Sequence, residues 1–182
     1  MTERLTNLFA VIAVEVGDRV RSGVEGASGL ASAGPAALVA LEEFANGASI
    51  ERLRDVIGLT HSGCVRLVDR LAGAGLVQRR AGSDVRAVSV VLTRTGHATA
   101  RRIRAARAAA VEPLFAELDA DDRRQLEDLC GRLVRTATRQ RLAARGQHAP
   151  PEGGWLCRMC DFAACGRDRG LCPAAESVAQ LS

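Results

Sequence analysis

A chain of 182 residues with 47% hydrophobic side chains is long enough for one packed domain with an appendage, and this composition excludes wholesale disorder. Aromatic residues make up only 3% and tyrosine is absent, so the core must consist mainly of Leu, Val, Ile and Ala, which favours helices. The net charge of +4 arises from 25 basic residues that are all arginine, and this excess is compatible with a polyanionic partner such as DNA.

The first predicted helix begins near the N-terminus and is amphipathic. Its charged residues, and the lack of a small-residue cleavage site, indicate a mature helix rather than a signal peptide. No apolar run reaches the roughly 18 residues that a membrane span needs, so we expect a cytoplasmic protein without a membrane partner. A Gly- and Ser-rich stretch, 22–34, is predicted to follow as a loose connection. The apolar residues at helical spacing are Leu5, Leu8, Phe9, Ile12 and Val16.

A helix-turn-helix is predicted next. Pro35 suits the first turn of a helix that ends at Asn46 and Gly47. Ser49 can cap a short helix that Gly58 ends, and Thr60 can cap the following helix, 61–75. That last helix has an apolar stripe opposite a mostly polar face, as a DNA-recognition helix would. The stripe consists of Cys64, Leu67, Val68 and Leu71.

A short β-hairpin is predicted directly after the recognition helix. Val88, Val90 and Leu92 alternate with other residues in a strand pattern, and a partner strand begins at Leu76 and Val77. The residues 81–84, Ala-Gly-Ser-Asp, are typical of a turn. A two-stranded hairpin behind a helix-turn-helix is a wing, so the sequence predicts a mainly α, winged helix-turn-helix fold.

Two long helices are predicted after the wing. Thr95 is the expected cap of the first and Asp119 of the second, in which Leu126, Leu129, Cys130, Leu133 and Ala137 line one side. The composition then changes, and we predict a domain over residues 1–146, with its DNA-reading part at about 35–94. A Pro- and Gly-containing linker, 147–154, and a small cysteine-rich extension, 155–182, complete the predicted organisation.

Three stretches of this sequence resemble the MarR family of dimeric winged-helix transcriptional regulators. They are VRLVDRLAGAGLVQRR at 65–80, DVRAV at 84–88 and VVLTRTG at 90–96. The order of the surrounding helices agrees with the family over roughly residues 1–145. The resemblance implies a homodimer, joined through the N- and C-terminal helices, that binds a near-palindromic double-stranded operator.

The resemblance also implies which residues read DNA. His61, Ser62, Val65 and Arg66 stand where the family reads bases and phosphates, Arg86 where a wing-tip arginine enters the minor groove, and Asp84 where an acid orients that arginine. The exposed face of a recognition helix independently favours DNA contact by Arg66 and Arg70. His61, Gly63 and Val65 depart from the family's usual residues, which leaves the operator sequence open.

Four cysteines close to the C-terminus have the spacing C-x2-C-x4-C-x6-C. Clustered cysteines in a reducing compartment more often bind metal than form disulfides, and a segment this short needs a staple. We expect about one structural zinc ion per chain, bound by four thiolates, with an iron–sulfur cluster as the alternative and disulfide switching as a further one. The predicted ligands are Cys157, Cys160, Cys165 and Cys172.

The expected function is therefore that of a sequence-specific transcriptional regulator, a repressor, that responds to a small molecule, a metal or a redox signal. Its effector is unknown, and a small phenolic or an oxidant is the expectation. A thiol–disulfide oxidoreductase using Cys157 and Cys160 is the alternative of another class, but that chemistry needs a strand–helix setting that a Pro/Gly linker does not supply. No enzyme is expected. Cys64, on the apolar stripe, is predicted to act as a small hydrophobic residue and not as a sensor.

Overall fold

The computed structural model describes residues 2–81, 88–146 and 154–179. A π-helical turn, Leu41–Ala45, continues α2, and 3-10 turns lie at Glu112–Phe115 and Arg167–Arg169. No helix in these ranges is both long and apolar enough to cross a lipid bilayer. The main helices are α1 Thr2–Ser28, α2 Gly34–Ala40, α3 Ile50–Ile57, α4 His61–Gly73, α5 Arg94–Val111, α6 Ala120–Gly146 and α7 Pro173–Ala179, and the strands are β1 Ala48–Ser49, β2 Val77–Ala81 and β3 Val88–Leu92.

Helix α2 forms the centre of the core. All seven of its residues are buried, and it packs against α1, α3 and α5. The largest fully buried side chains around it are aliphatic, as the scarcity of aromatic residues predicts. They are Leu38, Leu41, Leu53, Leu67, Leu71 and Ile103, with Val39, Val56, Val68, Val77 and Val90.

The predicted loose connection at 22–34 is wrong over its first half, because α1 continues to Ser28. Gly23, one of the glycines that predicted a loose connection, allows α1 to pack closely on α5. A Cβ atom on Gly23 would lie 3.2 Å from the Cβ atom of Ala110 in α5. Val24 is 4% exposed in the same interface. Burial between two helices therefore outweighs the weak helix propensity of glycine, and α1 ends only where Gly29 adopts a left-handed φ of 67°.

The helix-turn-helix and its caps are as predicted. The Ser49 hydroxyl oxygen accepts a hydrogen bond from the Arg52 N–H at 3.1 Å, and Gly58 ends α3 with a left-handed φ of 76°. The Thr60 hydroxyl oxygen accepts from the Gly63 N–H at 3.1 Å and caps α4. Because these bonds satisfy N–H groups that a helix start leaves unpaired, they determine where α3 and α4 begin.

The wing pairs as predicted but contains one more strand. Strands β2 and β3 are antiparallel, with Val77 opposite Leu92 and Ala81 opposite Val88. Strand β1 pairs with the other edge of β3, giving a three-stranded sheet in the order β1–β3–β2. Two residues are too few to give an alternating pattern, so β1 had no signal in the sequence.

The two long helices after the wing are present, with one correction to their caps. Thr93, and not Thr95, caps α5: its hydroxyl oxygen accepts from the Gly96 N–H at 3.0 Å. The same hydroxyl donates to the Gly75 carbonyl oxygen at 2.7 Å, which ties α5 to the end of α4. Asp119 caps α6 as predicted, accepting from the N–H groups of Asp121 and Asp122 at 2.8 and 2.9 Å.

The cysteine-rich segment, 154–179, packs against the helical body. It consists of consecutive turns followed by α7, which lies on α6. Gly154, at the end of the predicted linker, is buried and has a φ of 73°, and a Cβ atom there would lie 2.5 Å from the Ile57 carbonyl carbon. The next residue, Trp155, donates its backbone N–H to the Val56 carbonyl oxygen at 2.8 Å. Glycine is required at this contact because two backbones meet there.

Candidate functional site

The apolar stripe of α4 determines which residues face outward. Cys64, Leu67, Val68 and Leu71 are at most 2% exposed and pack into the core. The predicted DNA-reading residues occupy the other face of the helix. His61, Ser62, Arg66 and Arg70 are exposed there, and Val65 is half-buried.

The His61 imidazole is held by the preceding helix. Its Nδ1 atom is hydrogen-bonded to the Glu51 carboxylate of α3, and Glu51 also pairs with Arg54 at 2.9 Å. His61 therefore links the two helices of the helix-turn-helix while its side chain stays 60% exposed. The Ser62 hydroxyl lies 3.4 Å from that of Thr60, so both hydroxyls cluster at the start of α4.

Arg66 and Arg70 form no ion pair with any other residue that the structure describes. Their neighbour Asp69 does: its carboxylate is 2.6 Å from the guanidinium of Arg79 on β2, which ties the recognition helix to the wing. Arg79 and the adjacent Arg80 are both exposed on β2. These two wing arginines were missed in the sequence, although the consecutive pair in VQRRA was a visible signal.

Two of the predicted DNA-reading residues, Asp84 and Arg86, lie outside the described residues. Strands β2 and β3 end on either side of them, at Ala81 and Val88. Their roles at the wing stay predictions.

Three arginines of α5 have partners within the chain. Arg101 pairs with Glu42 at 3.5 Å, and Arg104 pairs with Glu43 and lies 3.6 Å from Asp161. Arg107 donates to the Met159 carbonyl oxygen. Two arginines of α5 therefore bind the cysteine-rich segment.

The cysteine-rich segment places two of its aromatic rings against Phe44, at the edge of the core. Phe44 stacks on Trp155 with ring centres 5.7 Å apart and on Phe162 with centres 5.3 Å apart. The Arg52 guanidinium of α3 lies 4.2 Å from the centre of the Trp155 ring, a cation–π distance. The Phe162 N–H donates to the buried Glu43 carboxylate at 2.8 Å. Aromatic residues, rare in this chain, are thus concentrated at this contact.

The four thiols of this segment are free and interact with one another. Cys165 influences the pKa of Cys160 and of Cys172, and Cys165 and Cys172 influence that of Cys157, so the four thiols are neighbours. Among the described residues, no three His, Cys, Asp or Glu side chains form a closed metal-ligand set. The thiols are therefore neighbours in an open arrangement. Cys157 and Cys160 lie in turns and not at the start of a helix, which disfavours the oxidoreductase alternative.

The environments of these thiols differ. Burial, and then the neighbouring Cys160 and Cys172, raise the pKa of Cys165 to about 12. Burial is also the main cause that raises the pKa of Cys157 and of Cys160. Burial acts in the same direction on Cys172, but hydrogen bonds from the Ala175 N–H, from Cys165 and from the Ala174 N–H outweigh it and lower its pKa. Cys172 is thus the member of the group that most favours a thiolate.

A cavity of about 660 Å³ separates the cysteine-rich segment from α6. Its walls combine the three stacked aromatic rings with arginines from α3, α6 and the segment itself. Leu142 and Val178 add apolar surface. The aromatic and basic lining residues are Phe44, Trp155, Phe162, Arg52, Arg141 and Arg167.

Comparison with known proteins identifies solved structures of the same fold. A MarR family protein from Bacillus stearothermophilus is 21% identical, with 75% of this chain and 95% of that protein covered and a TM-score of 0.66. MarR from E. coli is 22% identical, with 71% and 96% covered and a TM-score of 0.59. CouR from Rhodococcus jostii, bound to p-coumaroyl-CoA, is 28% identical, with 69% and 91% covered and a TM-score of 0.53. No family model matches the sequence, and no curated protein matches it.

The fold and the outward face of α4 are those of a winged helix-turn-helix protein. The predicted resemblance to the MarR family is confirmed at the level of the fold, which members of that family share over nearly their whole length. The Rhodococcus member of this family among them is described as a transcriptional regulator. These relatives leave at least a quarter of this chain without a counterpart.

Cys64 should react very slowly with iodoacetamide at pH 8. Its side chain is fully buried, its thiol donates to the Ile50 carbonyl oxygen at 3.5 Å, and burial, with a further contribution from Glu51, raises its pKa to about 11. The thiolate fraction alone predicts alkylation about a hundredfold slower than for the same cysteine in the unfolded chain. Peptide mass mapping of native and urea-unfolded samples measures both rates, and equal rates would contradict a buried, inert Cys64.

Proposed function

We propose that this chain is a sequence-specific repressor that binds double-stranded operator DNA as a homodimer. The observation that carries the proposal is the exposed face of α4, where Arg66 and Arg70 project without an ion-pair partner in the described parts of the chain. Guanidinium groups on such a face suit guanine edges and phosphates in the major groove. Two exposed arginines without an ion-pair partner on the outward face of a helix-turn-helix are a surface that fits a polyanion.

The wing extends the proposed DNA surface beside the recognition helix. The Asp69–Arg79 pair holds β2 against α4, and the next residue of that strand, Arg80, is exposed on the wing. We propose phosphate contact for Arg80 and keep Asp84 and Arg86 as the proposed minor-groove residues. His61 and Ser62, at the start of α4, and Val65, one turn further on, complete the set expected to approach bases.

Replacing Arg66 with alanine should weaken operator binding about 10- to 100-fold, because one direct contact to a base or phosphate is lost. The measurement is a gel-shift and salt-titration series on DNA upstream of the gene that encodes this chain, with scrambled DNA of the same length for comparison. The control is Arg124→Ala, which removes another exposed arginine, one that pairs with Asp121 at the start of α6. If Arg66→Ala binds as tightly as the control does, α4 is not the reading helix.

A homodimer is proposed from apolar side chains that are exposed on α1 and α6. A single chain that left this surface in water would be unusual, and a second copy covering it by symmetry is the simplest occupant. The resemblance to dimeric regulators points to the same two helices. The exposed residues are Leu5, Leu8, Phe9, Val11, Ile12 and Val14 on α1, and Leu129 and Leu133 on α6.

Phe9→Glu combined with Leu133→Glu should convert the dimer to monomer, because a carboxylate in an apolar interface loses its hydration without gaining a partner. Sedimentation at micromolar concentration should then give the mass of one 19.2 kDa chain. Val88→Glu, at an exposed valine on the wing, serves as the control and should stay dimeric. A monomeric parent protein would overturn the dimer proposal.

We further propose that the cavity beside α6 binds a small-molecule effector that carries an aromatic ring and an anionic group. Its volume of about 660 Å³ lies in the range of small-ligand sites, and stacked rings beside three arginines suit such a molecule. A ligand with different affinities for the free and the DNA-bound protein would change the affinity for the operator. The bound p-coumaroyl-CoA of CouR is a ligand of this chemical type.

Addition of p-coumarate should change the fluorescence of Trp155, the chain's single tryptophan, in a saturable way. The neutral p-coumaryl alcohol should bind about tenfold more weakly, because the arginines then lack an anionic partner. Comparing the two titrations separates recognition of charge from simple apolar binding. A flat response to both compounds would contradict this use of the cavity.

A further inference from the structure

The cysteine-rich segment contacts two parts of the regulator at once. On one side it binds the helix-turn-helix: the Trp155 N–H donates to Val56 at 2.8 Å, and Arg52 lies over the Trp155 ring. On the other side it binds α6: Arg141 donates to the Gly154 carbonyl oxygen at 2.5 Å, and Arg135 lies 3.4 Å from Glu176. The segment therefore bridges the proposed DNA-reading helices and a helix proposed to form the dimer.

The cysteines alternate with these docking contacts along the chain. Cys157 and Cys160 follow the contacts of Gly154 and Trp155 with α6 and α3. Asp161 and Phe162, which bind Arg104 and Glu43, separate Cys160 from Cys165. Cys172 immediately precedes α7, which packs on α6. Whatever holds the four sulfurs together thus sets the distances between the docking points.

The segment has little core of its own. Within the described residues 154–179, the buried apolar side chains are Cys172 and Ala174. None of its cysteines is in a disulfide. Its internal backbone bonds are those of short turns, such as Cys160 N–H to Cys157 O at 3.0 Å and Leu171 N–H to Gly166 O at 2.9 Å. Small segments of this kind are generally stabilised by a metal or a covalent link.

The four thiols have the chemistry of soft-metal ligands, although no three ligating side chains are gathered into a metal site in the part of the chain that the structure describes. Four neighbouring thiols within sixteen residues supply the donor set of a tetrahedral zinc site or of an iron–sulfur cluster, and each thiol releases its proton when it binds. Four thiolates around a divalent ion leave a surplus of two negative charges. Arg167, which lies between Cys165 and Cys172 in the sequence, can offset it. The open arrangement of the four thiols would have to close around a metal that replaces their protons, because metal–sulfur distances are about 2.3 Å.

We propose that Cys157, Cys160, Cys165 and Cys172 form a four-thiolate metal centre that clamps the helix-turn-helix to α6. Loss of the metal releases the bridge and lets α3 and α4 move relative to the dimer. The expected effect of the clamp on DNA affinity rests on the proposed function as a DNA-binding regulator. The metal centre does not depend on that function.

The first experiment measures metal in the full chain purified without oxygen. Elemental analysis, acid-labile sulfide and the visible spectrum distinguish the two candidate centres: one zinc per chain in a colourless protein, or iron with sulfide in a brown one. Either result supports the four-thiolate centre and names the metal. A protein that holds neither, and whose reduced form gives no thiolate-to-metal absorption on titration with Co²⁺, overturns the proposal.

Variants assign the ligands. Cys160→Ser and Cys172→Ser should each lose the stoichiometric metal and the Co²⁺ absorption, whereas Cys130→Ser, at an exposed cysteine outside the segment, should keep both. Circular dichroism of each variant checks that the helical body is still folded, so that loss of metal is not loss of fold. Metal retained by both segment variants would overturn the assignment of these ligands.

The clamp is tested separately from the metal. Amide hydrogen exchange of the reduced chain, with and without Co²⁺, should show slower exchange in α3 and in the 135–144 part of α6 when metal is bound, and no change at the start of α1. Operator affinity should differ at least about fivefold between the two forms. If metal binds but exchange in α3 and α6 stays the same, the centre is a local staple and the clamp is rejected. If exchange responds while no DNA is bound in either form, the proposed function fails and the clamp stands.

Discussion

Burial of the apolar stripe on α4 is the constraint on which the candidate DNA-reading surface depends. Cys64, Leu67, Val68 and Leu71 recur at three- and four-residue intervals and are almost completely removed from water. A helix anchored by four such side chains has no freedom to rotate about its axis, since any rotation would expose apolar area at about 25 cal/mol per Å². The residues at the intervening positions must therefore face outward, with Arg66 and Arg70 among them. The Thr60 cap then determines which turn of the helix comes first.

Helix α3 connects this surface to the cysteine-rich segment. It packs on α4, and its C-terminal carbonyl group at Val56 accepts the Trp155 N–H. Phe44, just before the helix-turn-helix, is covered by two rings of the segment. A segment that looks like an appendage in the sequence therefore lies within one helix of the reading face. The cavity of about 660 Å³ lies at the same junction, so a ligand or a metal there would act on the same element.

The arginines show how one residue type serves opposite purposes. On α5, Arg104 pairs with a carboxylate and Arg107 donates to a carbonyl oxygen, and both help to attach the segment. On α4, Arg66 and Arg70 are exposed and have no such partner in the parts of the chain that the structure describes. The difference comes from Glu43 and Asp161, which the fold brings next to α5 and not next to α4.

The sequence by itself determined the features that depend on near neighbours. These features are the caps at Ser49, Thr60 and Asp119, the helical period of α4 and the alternation of β3. Each depends on residues a few positions apart, so its pattern can be recognised in the sequence. The resemblance to the MarR family could be recognised in the same way. The cap predicted at Thr95 and the early end predicted for α1 were wrong because contacts between distant residues decided both features. Thr93 bonds to Gly75, and Gly23 packs against Ala110. Only the tertiary structure decided where the cysteine-rich segment docks. Its contacts join residues as far apart as Glu43 and Phe162, and side chains separated by more than a hundred positions leave no periodic signal in the chain.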